Sequence, residues 1–131
     1  MFENIMVPSD GSKHSDKAVD VAIEIAKKFN SKVTAVYVLN ENTSFSYDDL
    51  EDEGNEILKK ISEKGEKKGV MVIEHLITAD PLRDMGIIAQ KTQVDSIVIN
   101  SKGKDNSDNL IIGSIADRII KTFEIPIVLV K

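Results

Sequence analysis

The sequence predicts an α/β fold: an open, five-stranded parallel sheet in the order 3-2-1-4-5, with helices on both faces. Three observations lead there. Apolar, β-branched runs alternate with segments whose apolar residues recur at helical spacing, in the order β-α-β-α-β-α-β-α-β. Such alternation calls for crossover connections, which are right-handed between parallel strands. The run KVTAVYVL at residues 32–39 is apolar almost without a break, as in a strand buried on both faces. In this strand order the winding reverses between the first and fourth strands, and ligand crevices open outside the strands' carboxyl ends at such a switch point.

Composition bounds the possibilities. With 131 residues and 41% apolar content, the chain suits one domain, residues 1–131, with a sizeable core. The net charge is −5 and no basic block occurs, so neither nucleic acid nor an anionic membrane is an expected partner. The absence of cysteine excludes disulfides, thiolate catalysis and cysteine-based metal sites. No run reaches the length of a membrane span. The opening MFENIMVPSDG lacks a basic region followed by an apolar core, so no signal peptide is expected and the expected location is cytoplasmic.

Asn4, Ile5, Met6, Val7 and Pro8 form a short strand ending at proline, and Ser9-Asp10-Gly11-Ser12 is turn chemistry. From residue 13 to 29, Ala18, Val21, Ala22, Ile25, Ala26 and Phe29 define an amphipathic helix. Ser12 or Ser15 can cap its start, Lys27 and Lys28 complement its negative end, and Asn30 can close it. The strand at 32–39 follows, then a polar loop over 40–47. Residues 48–68 are strongly charged, with Leu50, Ile57, Leu58 and Ile61 as a narrow apolar stripe. This predicts a helix that Gly54 and Gly65 weaken and Gly69 stops. Residues 70–78, VMVIEHLIT, read as an edge strand because Glu74 and His75 interrupt the alternation.

Asp80-Pro81 opens the third helix, with proline at the first helical position. Its apolar face is Leu82, Met85, Ile88 and Ala89, and it runs to Thr92. Residues 94–100 are the fourth strand. A polar, glycine-containing loop follows, and Ser114 with Asp117 three residues on marks a helix start. Ile115, Ala116, Ile119, Ile120 and Phe123 give that helix its spacing, and residues 126–130, PIVLV, are the last strand. The strand–loop–helix join from residue 97 to 123 places backbone N–H groups and a helix N-terminus at a strand's carboxyl end, an arrangement suited to a phosphate.

Gly103, nine intervening residues and then Gly113-Ser114 resemble the nucleotide loop of the universal stress protein family, G-x2-G-x9-G-[ST]. Asn100 stands where that motif has its first glycine. The resemblance spans nearly the whole chain. IMVPSDGSKHSDKAVDVAIEIAKKF is similar to the family's first strand, acidic turn and first helix; VTAVYVL to its second strand; TADPLRDMGIIAQKTQVDSIVIN to its third helix and fourth strand; and IIGSIADRIIKTFEIPIVLVK to its end. A Walker loop is absent, because no glycine lies five residues before Gly103 and no Ser or Thr follows Lys104.

The resemblance implies an adenine-nucleotide-binding stress or signalling module, with ATP as cofactor and Mg2+ or Mn2+ as its companion ion. The implied binding residues are Pro8, Ser9, Asp10, Val38, Ile99, Asn100, Gly103, Gly113, Ser114 and Ile115. Asp10 would accept from ribose hydroxyls, or else close an Asx-turn or cap the first helix. Pro8 and Val38 would line the adenine pocket, a place equally suited to plain core packing. Gly103, Gly113 and Ser114 would meet the phosphates through N–H groups and the Ser114 hydroxyl. Asn tolerates the left-handed backbone region better than most residues, which would let Asn100 replace glycine, although its side chain would stand beside the ligand.

Other classes fit less well. The first turn lacks the double glycine of ATP pyrophosphatases. The chain has neither paired acids after its first strand nor an aspartate ending its third, as a phosphoacceptor receiver needs. No nucleophile–base pair is legible, so slow ATP hydrolysis is the most that the resemblance allows. His14 and His75 have no partner at metal-ligand spacing. The acidic run Asp48, Asp49, Glu51, Asp52, Glu53 lacks the pattern of a calcium loop. A family member that binds no nucleotide and works through protein contacts is the competing expectation. In either case, Ile127, Val128, Leu129 and Val130 form an apolar edge strand that predicts a homodimer.

Overall fold

The computed structural model describes residues 2–40, 47–102 and 113–131. Its sheet has the order β3-β2-β1-β4-β5, parallel throughout. The strands are β1 (Asn4–Pro8), β2 (Lys32–Asn40), β3 (Val72–Ala79), β4 (Ser96–Asn100) and β5 (Ile127–Val130), and the helices are α1 (Lys13–Phe29), α2 (Tyr47–Lys68), α3 (Pro81–Lys91) and α4 (Ser114–Thr122). Alternate residues of the strands feed two cores. Ile5, Val7, Val33, Ala35 and Val98 pack against Ala18, Val19 and Ala22 of α1 and Leu58 and Ile61 of α2. Met6, Val36, Ile97 and Ile99 pack on the other face against Met85 and Ile88 of α3 and Ala116 and Ile119 of α4. β1 and β4 lie between both layers, and Ile5, Met6, Val7, Ile97 and Val98 have no exposed surface. None of the described helices is long and apolar enough to cross a membrane.

Several boundaries differ from the expected ones, each for a local reason. The third strand starts at Val72, because Val70 closes α2: its N–H donates to Gly65 O at 2.8 Å and Gly69 N–H to Glu66 O at 3.1 Å, with Gly69 at φ +72°. That pair of bonds is a Schellman motif. The fourth strand starts at Ser96, because Val94 N–H is bonded to Ala89 O at the end of α3. The last starts at Ile127, since Pro126 has no N–H for the ladder. α3 begins as expected, with Asp80 accepting from Leu82 and Arg83 N–H. There the Arg83 guanidinium, 2.8 Å from the Asp84 carboxylate, and the Asp80 N–H hold Asp84 down to about 2.

The buried stripe of α1 is Ala18, Val19, Ala22, Ile23 and Ala26, rotated from the expected one. Val21 and Ile25 sit at its margin, and Phe29 is exposed and stacks on Phe2. Leu82 likewise lies exposed, whereas Met85, Ile88 and Ala89 are buried.

The α2 glycines have a packing role. Gly54 and Gly65 are buried in register with Leu58 and Ile61, so they belong to the stripe that faces the sheet. A Cβ on Gly54 would sit 2.6 Å from the Tyr37 ring and from Leu76; one on Gly65 would sit 2.4 Å from Val72 and 2.9 Å from the Val70 carbonyl. The helix thus approaches the sheet more closely than any side chain would allow. Gly86, exposed in α3, has only Phe123 within reach, at 3.9 Å. Gly→Ala in a helix normally stabilises by up to about 1 kcal/mol. Gly86→Ala should follow that rule in urea denaturation. Gly65→Ala should reverse it and destabilise by about 1–3 kcal/mol, because the added methyl meets backbone as well as a side chain.

Candidate functional site: the crevice where β1 and β4 part

β1 and β4 pair only at Ile5–Ser96 and Met6–Ile97, while β1 pairs with β2 along its full length to Pro8–Val36. Beyond Met6 the two central strands separate. Pro8 has no N–H with which to continue a ladder, and the chain leaves β1 toward α1 on one face while α4, which follows β4, lies on the other. The gap is a crevice of about 380 Å3. Pro8, Ser9 and Asp10 line it from the first turn; Val36, Tyr37, Val38 and Asn40 from β2; Pro81 and Met85 from α3; Ile99, Asn100 and Lys102 from the end of β4; and Gly113, Ser114, Ile115, Ala116 and Ile119 from α4. Nine of the ten residues expected from sequence therefore lie on one crevice. The tenth, Gly103, falls outside the described residues, as does Lys104.

The first turn is held by its own side chains. Asp10 Oδ1 accepts from Ser12 N–H at 2.9 Å, closing an Asx-turn, and from Ser15 O–H at 3.0 Å. Ser12 is the N-cap of α1, its Oγ accepting from Ser15 N–H at 3.2 Å, and Gly11 donates to Ser9 Oγ at 3.2 Å. Gly11 has φ +82°, and a Cβ there would sit 2.6 Å from Ile57 of α2. The turn thus needs glycine both for its backbone and for its contact with the helix.

At the opposite wall, Asn100 closes β4 in register with Val130. Asn100 does not use the left-handed conformation that Asn tolerates: among the described residues, those other than glycine with positive φ are Phe2, Asn30 and Gln93. Asn100 remains extended because β5 pairs with it, and its Nδ2 donates to the Lys102 carbonyl. The expected cap at Ser114 is also displaced by one residue. Gly113 is the N-cap, without a side-chain bond, and its N–H donates to Ser101 O at 2.6 Å. Gly113 therefore spends its donor on the loop. The first-turn N–H groups at this helix end are those of Ser114, Ile115 and Ala116, and the N-cap residue Gly113 has no side chain with which to cap them.

Sequence reasoning missed eight lining residues: Val36, Tyr37, Asn40, Pro81, Met85, Lys102, Ala116 and Ile119. Their shared signal is position, since they lie in the later part of β2, just past the end of β4, or within the first two turns of α3 or α4. Burial, then the charges of Glu53 and Asp10, push the Tyr37 phenol above the usual tyrosine range. No group of three or more His, Cys, Asp or Glu side chains that could hold a metal occurs among the described residues.

An open, doubly wound sheet with a crevice at its switch point and a helix N-terminus on one wall defines a class of α/β domains built to present a concave site. The chain belongs to the universal stress protein family, whose model matches residues 1–131. A universal stress protein of Methanocaldococcus jannaschii is 31% identical, the match covering all of this chain and 83% of the relative. A universal stress protein structure from Archaeoglobus fulgidus superposes with a TM-score of 0.84 at 25% identity, covering 100% of both chains. A universal stress protein structure from Archaeoglobus fulgidus in complex with dAMP superposes with a TM-score of 0.80 at 24% identity, again over 100% of both.

The carboxylate of Asp10 can be read through its neighbour. Asp10→Asn should lower the Tyr37 pKa, leaving it above the ordinary tyrosine range because burial is the larger cause. Alkaline ultraviolet titration, with Tyr37→Phe to assign the signal, measures this. An unchanged Tyr37 titration would show that the Asp10 charge does not reach the phenol.

Proposed function

We propose that this protein is an adenine-nucleotide-binding stress or signalling module that takes ATP in the crevice between β1 and β4 and acts as a homodimer in the cytoplasm. The observation that carries the binding reading is the pairing of two unlike walls across one gap. On one side, Asp10 offers a carboxylate suited to ribose hydroxyls. On the other, the start of α4, with glycine at its N-cap, and Lys102 line the crevice, a combination suited to phosphate. Between them Pro8, Val36, Val38 and Met85 give an apolar floor for a base. The dAMP complex of a structural relative supports an adenine nucleotide as the ligand class, through its base and phosphate, since dAMP lacks the 2′-hydroxyl. A Mg2+ or Mn2+ ion would accompany the phosphates and offset their charge in a protein of net charge −5. The cysteine-free composition is compatible with a reducing compartment.

A second reading has its own observation. Gly113 N–H is already bonded to Ser101 O, and Asn100 stands at a motif glycine. A family member that has given up its ligand and works through protein contacts would tolerate both. Calorimetry with MgATP separates the readings. Saturable binding, weakened in Gly113→Val by a side chain at the α4 cap, supports the first. No heat at millimolar ATP rejects it in favour of the second.

The dimer reading rests on β5. It pairs with β4 alone among the described strands, and all four of its residues are half-buried. Val128 and Val130 pack on one face, Ile127 and Leu129 on the other, so the outer edge is an apolar strand with an open ladder. Two copies can pair antiparallel about a two-fold axis, which closes and stops further growth. Light scattering should show a dimer at micromolar concentration and a monomer for Val128→Lys, with circular dichroism confirming that the variant is folded. A monomeric wild type, or a folded lysine variant that stays dimeric, rejects this interface.

A further inference from the structure

Ser15 lies in the first turn of α1, has 1% of its surface exposed and does not line the crevice, yet four polar groups of the β1–α1 turn converge on its hydroxyl. Ser12 Oγ donates to it at 3.3 Å, and Ser9 Oγ lies 3.2 Å away. Ser15 has one hydroxyl hydrogen and two acceptors within 3.0 Å, Asp10 Oδ1 and the Ser12 carbonyl. The carboxylate is the stronger acceptor, because a charge-assisted bond outweighs a neutral one. With Ser12 and Ser9 donating to Ser15, and Ser15 donating to Asp10, every hydroxyl in the set is satisfied. The chain of donors then ends on one carboxylate oxygen, each bond polarising the next. Ser12 contributes to Asp10 only a backbone N–H, which any residue would supply. Ser15 contributes a side-chain O–H, which is specific to its residue type.

We infer that Ser15 is a positioning residue: it fixes the rotation of the Asp10 carboxylate so that the crevice discriminates ligands carrying vicinal ribose hydroxyls from those without them. The inference rests on the nucleotide reading above and adds a selectivity that depends on a buried residue away from the ligand. A carboxylate free to rotate would still carry its charge, and would lose part of its advantage for a paired donor held at a fixed spacing. A Ser15 that merely caps the helix would affect stability and all ligands alike.

The test is calorimetric titration of wild type, Ser15→Ala and Ser15→Cys with MgATP and with its 2′,3′-dideoxy analogue. Wild type should prefer ATP, and Ser15→Ala should shrink the ratio of the two affinities by about five- to tenfold, the scale of one ordinary net hydrogen bond, since Ser12 N–H still holds Asp10 Oδ1 in the variant. Ser15→Cys keeps the volume and a weak donor, so its ratio should fall between the two; it carries the measurement if the alanine variant does not fold. A variant that loses affinity for both ligands equally overturns the positioning role and leaves nucleotide binding intact, as does a wild type that binds both equally. A wild type that binds neither overturns the nucleotide reading and this inference together.

Discussion

The parting of β1 from β4 is the constraint on which the rest of the site depends. Two strands some ninety residues apart in sequence are paired at Ile5–Ser96 and Met6–Ile97, and nowhere further along. Below that point the strands are sealed between two apolar layers. Above it, Pro8 cannot extend the ladder, and the helices that follow the two strands leave for opposite faces. The crevice is therefore the space the topology leaves unfilled, bounded by the strand ends and by the first turns of α3 and α4. Widening the β1–β4 ladder by even one pair would close its floor.

The wall formed by the first turn is stiff because its polar groups are spent on one another. Asp10, Ser9, Ser12 and Ser15 form a connected set, and no buried side-chain nitrogen or oxygen among the described residues lacks a partner. Stiffness also comes from below. Gly11 lies against Ile57 of α2, and α2 is seated on the sheet by Gly54 and Gly65. The turn, the helix and the sheet thus touch through glycine at three places. Each is a place where a methyl group would separate two elements, so the position of Asp10 is tied to the seating of a helix that has no residue in the crevice.

Charge in the crevice is divided rather than balanced. At one end Asp10, together with Glu53 of α2 outside the crevice, acts on Tyr37 and raises its phenol beyond the effect of burial. Lys102 and the exposed start of α4 stand at the other. A ligand with hydroxyl donors at one end and an anionic group at the other matches that division, whereas a symmetric anion or a uniformly apolar ligand does not. In a chain of net charge −5, this local separation matters more for recognition than the overall sign.

Sequence alone determined the fold and most of the crevice. The alternation of strand and helix periods, the doubly apolar run of β2 and the order of elements point to a parallel sheet, and among the few orders that handedness and short connections leave, to one with its switch point between β1 and β4. Pro8, Asp10, Asn100 and Ser114 were legible because they sit where strands end and helices begin. Tertiary structure decided what depends on neighbours. It rotated the buried stripe of α1 toward Val19 and Ile23, since which side of a broad apolar face meets the sheet depends on the sheet. It turned Gly54 and Gly65 from weak points of a helix into its contact surface; their spacing with Leu58 and Ile61 was visible, but the distance to Tyr37 and Val72 was not. It held Asn100 extended through its pairing with Val130, and directed the Gly113 N–H to Ser101, because a donor's partner is fixed by where the chain comes to lie and not by residue type.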